Sequence, residues 1–265
     1  MFDRFFLIAG PCVLEDDALN QTVGEALARL AADLDLPVIF KASFDKANRS
    51  RLQAARGPGL DAGLEALARV RSSTGLPLLT DIHASEQAGP AAEVVQVLQI
   101  PAFLCRQTDL LVAAGRTGAA VNIKKGQWME PEEMAGAVDK ARSAGAGPLA
   151  VTERGTFFGY GDLVVDMRSF RRLRGATGVP AVFDGTHSVQ RPGRGGGRSG
   201  GDPEFIPALV QAAVAAGCDG LFLETHPDPA RAPSDATNML PLDSLRALIE
   251  RVLELRSVLS GSGTA

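Results

Sequence analysis

A single-domain (β/α)8 (TIM) barrel is the fold this sequence predicts, from eight short β-rich apolar runs, the helical segments between them, and the polar side chains crowded just after the runs. The runs fall at residues 5–9, 38–41, 78–81, 95–99, 120–123, 149–152, 181–183 and 221–223. Ala and Leu recur with helical spacing at 17–34, 60–73, 86–93, 110–116, 131–144, 163–176, 207–216 and 242–259. Eight such units in 265 residues suit a closed barrel, for which about 250 is usual.

Local signals support each element in turn. The first run ends in Ala9-Gly10-Pro11-Cys12, where an open dinucleotide-binding sheet would need Gly-x-Gly-x-x-Gly, and this favours closure. Pro37, Pro77 and Pro180 stand just before the second, third and seventh runs, where proline breaks no ladder. Gly75 and Gly217 stand where helices stop, a place for left-handed dihedrals. Pro131 with Glu132 and Glu133 suits a helix start. The one low-complexity stretch is RPGRGGGRSGG, residues 191–201, between the seventh run and its helix.

Composition narrows the function. A net charge of −4 and a pI near 5.5 argue against a nucleic-acid protein, which needs a broad excess of Lys and Arg. Trp128 and Tyr160 carry no interleaved basic stripe for stacking single strands. Three cysteines, with no CxxC pair, suit a reducing compartment. The apolar start, residues 1–10, is too short for a signal peptide, and no run approaches the roughly 20 residues that span a bilayer. The expectation is a soluble cytoplasmic protein without nucleic-acid or membrane partners.

Barrel enzymes build their sites at the carboxyl ends of the strands. There the sequence places Cys12, then Lys41, Ser43, Asp45, Lys46, Asn48, Arg49 and Ser50, then Asp81 and His83, then Gln99. Asn122, Lys124, Lys125, Glu153, Arg154, Asp184, His187, Glu224, His226, Asp228 and Asp235 follow, so all three histidines are included. The cations Lys41, Lys46, Arg49, Arg106, Lys124 and Arg154, concentrated in an acidic chain, point to a multiply anionic substrate. Any one of them is equally well explained by a structural ion pair. Cys12, His187, Glu224 and Asp235 offer one sulfur, one nitrogen and two oxygens to a divalent transition metal, if barrel closure gathers them. On residue types alone, a packed cysteine and a satisfied histidine remain the favoured reading. Cys105 and Cys218 read as packing residues. The glycine run lacks the Gly-Lys-Ser/Thr ending of a P-loop and reads either as a lid bringing Arg191, Arg194 and Arg198 to an anion or as a flexible solvated loop.

The strand-end residues also form a known pattern. IAGPCVLE (8–15), FKASFDKANRS (40–50), RGPGL (56–60), LTDIH (79–83) and QIPAFLCRQTDLL (99–111) are matched in turn. VNIKKGQ (121–127), TERGTFFGYGDLVVDMRS (152–169), THSVQ (186–190) and CDGLFLETHPDP (218–229) continue the match. In these the chain closely resembles the 3-deoxy-D-manno-octulosonate 8-phosphate synthase family over its whole length. The resemblance implies a (β/α)8 barrel, usually a homotetramer. It implies condensation of phosphoenolpyruvate with D-arabinose 5-phosphate and release of phosphate, toward the inner sugar of lipopolysaccharide. Carried over by residue, the phosphoenolpyruvate site is Lys41, Lys46, Gln99, Ala102, Lys124 and Arg154. The sugar-phosphate site is Lys46, Asn48, Arg49 and Ser50, with Arg106 from a neighbouring subunit. Members with cysteine after Gly-Pro depend on a metal, so the resemblance makes Cys12, His187, Glu224 and Asp235 ligands of one Zn, Fe, Mn or Co ion, with no organic cofactor. Lys46, His187 and Asp235 are candidates for proton movement, although a metal-bound His187 is a poor base.

Two departures stand out. Gly185 replaces a common alanine, an exchange of small residues expected to be mild, and Arg51 replaces a common serine in the sugar-phosphate loop. The competing reading is the related 3-deoxy-D-arabino-heptulosonate 7-phosphate synthase, which uses erythrose 4-phosphate. Lys46-Ala47-Asn48-Arg49-Ser50 stands against it, since a Lys-Pro-Arg-Thr pattern would fit that enzyme. A catalytically silent sugar-phosphate sensor is the alternative from another class.

Overall fold

The computed structural model describes residues 1–48, 53–159, 161–191 and 200–261. Eight parallel strands, β1 (Phe6–Gly10), β2 (Val38–Lys41), β3 (Leu78–Asp81), β4 (Val97–Ile100), β5 (Ala120–Lys124), β6 (Leu149–Glu153), β7 (Ala181–Asp184) and β8 (Gly220–His226), pair in sequence order. β1 also pairs with β8, from Phe6 opposite Gly220 to Gly10 opposite Glu224, and this closes the barrel. Outside lie α1 (Asp17–Leu34), α2 (Leu60–Thr74), α3 (Ala88–Val94), α4 (Thr108–Arg116), α5 (Met134–Ser143), α6 (Ser169–Thr177), α7 (Ile206–Ala215) and α8 (Leu242–Gly261).

Successive side chains of a strand face opposite ways, and in a closed barrel that means inward or outward. Leu7, Val38, Phe40, Leu98, Val121, Val151, Phe183 and Leu221 point out and pack under the helices. Phe6, Ile8, Ile39, Leu79, Val97, Ala120, Ala150, Val182 and Phe222 point in and form a separate apolar cluster that Phe2 joins. Its floor includes the Phe2–Phe6 pair, with ring centroids 4.9 Å apart. Two residues further along the strands, the same inward parity falls on Lys41, Asp81, Gln99, Asn122, Thr152, Asp184 and Glu224. The inside of the barrel is therefore apolar at one end and polar at the other.

The predicted elements recur with revised edges. Gly75 and Gly217 do adopt left-handed dihedrals, with φ of 70° and 87°. The fourth strand starts at Val97 rather than residue 95, because the Val95 amide still caps α3 through Ala91. Pro131–Glu133 forms a 3-10 turn ahead of α5. The helix expected at 163–176 begins only at Ser169, because Asp162–Val164 pairs antiparallel with Thr156–Gly159 in a hairpin. Val165 and Met167 pack against the core from the following loop. The pair Gln190–Arg191 and Gly200–Gly201 flanks the glycine run, whose residues 192–199 lie outside the described residues, as do Arg51 and Tyr160.

Gly185 is more than a small residue among small residues. A Cβ there would lie 2.8 Å from Val210 Cγ2 and 2.9 Å from Leu223 Cδ2, so the neighbours fill the space an alanine would take. This revises the expectation of a mild exchange, since stiff, β-branched Val210 must yield. Gly185→Ala should lower stability by about 1–2 kcal/mol in urea unfolding, and adding Val210→Ala should recover part of that loss.

Candidate active site

The polar end of the barrel opens into a cavity of 1160 Å³. Lys41, Lys46, Gln99, Ala102, Lys124, Arg154, His187, Glu224 and Asp235 all line it, with Asn48 at its edge. Sequence-distant residues meet here because each ends a neighbouring strand with inward parity or lies in the loop that follows.

Glu224 is the centre of the charge arrangement. Fully buried on β8, it meets Lys41 Nζ at 2.5 Å and Lys46 Nζ at 3.9 Å. Lys41 also donates to the Cys12 carbonyl at 2.8 Å. That contact needs the chain after β1 close to β2, and Gly10 permits it: a Cβ there would lie 2.1 Å from the Lys41 carbonyl oxygen. Burial works to raise the Glu224 carboxyl, but Lys41, His187 and Lys46 outweigh it and hold it well below the usual carboxylate range. Burial also works to lower Lys46, and the surrounding anionic groups, Glu224 and Asp81 among them, reverse the shift. For Lys124 and Arg154 burial wins, and both are lowered.

Lys124 pairs with Asp184 at 2.7 Å and lies 3.5 Å from the centre of the Phe222 ring. Arg154 donates through Nη2 to Gln190 at 2.6 Å, while its buried Nη1 has no hydrogen-bond partner among the described residues. A buried guanidinium nitrogen without a partner, beside a cavity, is a donor set aside for an anion.

The four metal candidates fall on one side. Ligand atoms of Cys12, Glu224 and Asp235 lie within 4.8 Å of one another, and Cys12 Sγ donates to Asp235 Oδ2 at 3.0 Å. His187 is the outer member, with Nε2 3.6 Å from Glu224 Oε2 and Nδ1 2.8 Å from Asp184 Oδ2. A carboxylate behind the far ring nitrogen is the usual way a metal-binding histidine is oriented. Glu224 Oε2 is buried without a hydrogen-bond partner among the described residues, which suits an acceptor awaiting a cation. Burial, then Asp235 and Glu224, push the Cys12 thiol well up, as expected of a sulfur whose charge a cation would have to offset. Asp235 takes φ of 51°, rare for a residue with a side chain, in the loop after β8. By chemistry and position the four residues fit one divalent transition metal.

Arg49 and Ser50 lie outside the described residues. Arg106 is exposed after the 3-10 turn Ala102–Leu104 and does not line its own chain's cavity. Near it Phe103, Trp128, Phe157 and Phe158 are exposed, with Phe103 and Trp128 rings 5.8 Å apart. The expected lid arginine Arg191 is held by Asp202 at 2.7 Å and Asp162 at 3.2 Å.

A profile of the DAHP synthetase I family matches residues 2–260. The chain belongs to the DAHP synthetase I family. It is 53% identical over 256 residues to a 2-dehydro-3-deoxyphosphooctonate aldolase of Syntrophotalea carbinolica, covering 97% of this chain and 92% of that one. Proteins of the same name from Nitratidesulfovibrio vulgaris and Verminephrobacter eiseniae are each 54% identical, covering 96% and 98% of this chain and 93% of their own.

The geometry adds one residue whose role sequence reasoning left unassigned. Lys125 is fully buried just beyond β5 and points away from the cavity. Its Nζ donates to the carbonyls of Gly126 and Met129 and to Thr156 Oγ1, and lies 3.5 Å from Glu153 Oε1. Glu153 accepts in turn from the Gly155 amide at 2.8 Å, so this strut braces the chain on both sides of Arg154. The Lys-Lys pair in the sequence was the only signal, and outward parity for Lys125 would have marked it as structural. Lys125→Met should cost about 3–5 kcal/mol in urea unfolding by leaving Glu153 charged and unpaired, and Glu153→Gln in the same chain should restore much of it.

Proposed function

We propose that the chain condenses phosphoenolpyruvate with D-arabinose 5-phosphate and water to give 3-deoxy-D-manno-octulosonate 8-phosphate and inorganic phosphate. The observation that carries this reading is the convergence of Lys41, Lys46, Lys124 and Arg154 on one cavity, in a chain over half identical to 2-dehydro-3-deoxyphosphooctonate aldolases along nearly its full length. That name is another for the octulosonate phosphate synthase.

The reaction joins C3 of the enol phosphate to the aldehyde carbon, adds water at C2 and expels phosphate by C–O cleavage. Two anions must be held face to face, and such positioning is worth about 7–11 kcal/mol in well-oriented systems. Lys41, Lys124 and Arg154 supply charge deep in the cavity for the enol phosphate. Lys46 lies nearer its mouth with Asn48, where Arg49 and Ser50 follow in sequence to take the sugar phosphate. Cys12, His187, Glu224 and Asp235 would hold one Zn, Fe, Mn or Co ion. When bound, the ion supplies Lewis acidity toward the acceptor or the attacking water. Lys46 is the candidate for moving a proton at the acceptor oxygen, since the other two candidates, His187 and Asp235, belong to the metal set.

The exposed position of Arg106 beside the aromatic rim supports a homo-oligomer, a tetramer by resemblance, in which Arg106 reaches a neighbour's sugar-phosphate pocket. No helix among the described residues is long and apolar enough to cross a membrane, and we place the enzyme in the cytoplasm, serving lipopolysaccharide synthesis. The whole chain reads as one catalytic unit, residues 1–265.

Phosphate release should be seen with phosphoenolpyruvate and arabinose 5-phosphate, and be much slower with erythrose 4-phosphate; the reverse preference would establish the heptulosonate reading, and no turnover the sensor. Exhaustive chelation should abolish release and Zn²⁺, Mn²⁺ or Fe²⁺ should restore it, with full activity of metal-free protein refuting the metal site. Arg106→Ala should raise KM for the sugar phosphate about tenfold or more while leaving that for phosphoenolpyruvate nearly unchanged.

A further inference from the structure

A directed chain of hydrogen bonds runs around the polar end of the barrel. Asp81, Gln99 and Asn122 are register neighbours on β3, β4 and β5. Gln99 Nε2 donates to Asp81 Oδ1 at 2.5 Å, Asn122 Nδ2 donates to Gln99 Oε1 at 2.8 Å, and Thr152 Oγ1 donates to Asn122 Oδ1 at 2.7 Å. Ser43 Oγ donates to the other oxygen of Asp81. All five residues are buried.

The direction of this chain follows from chemistry. An ionised carboxylate only accepts, so Gln99 must turn its nitrogen to Asp81 and its oxygen to Asn122. Asn122 must then donate to Gln99, and its own oxygen needs a donor, which the Thr152 hydroxyl supplies. The second N–H of Gln99 has no partner among the described residues, and Gln99 lines the cavity where Asn122 and Thr152 do not.

We propose that Asn122 and Thr152 are positioning residues that lock the Gln99 carboxamide so that it offers an N–H, and never its carbonyl oxygen, to the anionic enol phosphate. This rests on the enol phosphate reading of the cavity. Reversing the amide would set a carbonyl oxygen against both Asp81 and the substrate's anionic oxygens. The lock thus makes a neutral side chain selective for an anion, next to cations that cannot fix its orientation themselves.

The test is calorimetric binding of phosphoenolpyruvate to the intact chain, with steady-state kinetics beside it. Thr152→Val, which keeps the shape and removes the hydroxyl, should weaken binding about fivefold and raise KM for phosphoenolpyruvate equally. It should leave kcat and KM for arabinose 5-phosphate within about twofold, and Thr152→Ser should match the parent within about twofold. Asn122→Asp, whose carboxylate competes with Asp81 for the Gln99 nitrogen, should weaken phosphoenolpyruvate about tenfold or more, and it reads the same lock if the valine variant does not fold. A valine variant that binds as tightly as the parent, or a serine variant as weak as the valine one, would overturn the proposal alone. A parent chain that binds no phosphoenolpyruvate would overturn the enol phosphate reading and the lock with it.

Discussion

In a closed parallel barrel, every second residue of a strand must point into a space too narrow to admit water freely, so whatever polar groups stand there must satisfy one another. This constraint organises the molecule. At one end the inward positions are Phe6, Ile8, Ile39, Leu79 and Phe222, which need no partners. At the other end they are charged or amide-bearing, and each has found a partner on the next strand or the one beyond it: Gln99 with Asp81 and Asn122 on its two neighbours, Lys41 with Glu224 across β1, and Lys124 with Asp184 across β6. Buried charges of this kind are costly singly and tolerable only in such a network.

The network is not closed on itself. Arg154 Nη1 and Glu224 Oε2 remain buried without hydrogen-bond partners among the described residues, one a donor and one an acceptor. A protein that leaves both signs of polar group unmatched beside a single cavity is prepared for ligands of both signs. An anion answers the guanidinium and a cation answers the carboxylate, which is how one cavity accommodates both substrate phosphate and metal in the proposed reaction.

Much of this was legible in the sequence, for definite reasons. Strand parity and strand ends can be counted along the chain, so Lys41, Gln99, Lys124, Arg154 and Glu224 could be placed at the polar end of the barrel from the sequence alone. Loop conformation cannot be counted in that way. Asp235 reaches the site through a left-handed dihedral in a long loop; its residue type offered it as a ligand, and only the resemblance turned that offer into an expectation. The hairpin at residues 156–164 is hidden in the sequence because Leu163 and Val164 stand at helical spacing from Met167, while their pairing partners, Phe157 and Thr156, lie only a few residues earlier. Gly185 was misjudged because size was compared without its surroundings, which Val210 and Leu223 occupy. Lys125 looked like its neighbour Lys124, and one step of parity gave it an entirely different task.

The aromatic floor has a consequence for traffic. Phe2 packs against Phe6, and the inward layer there is apolar throughout, so among the described residues the cavity is a well closed from below. Two reactants that share such a well cannot pass each other. In the proposed reaction, whichever sits against the deep cations Lys41 and Lys124 has to arrive before the one nearer the rim, and the product has to leave past Lys46 before the well can be refilled.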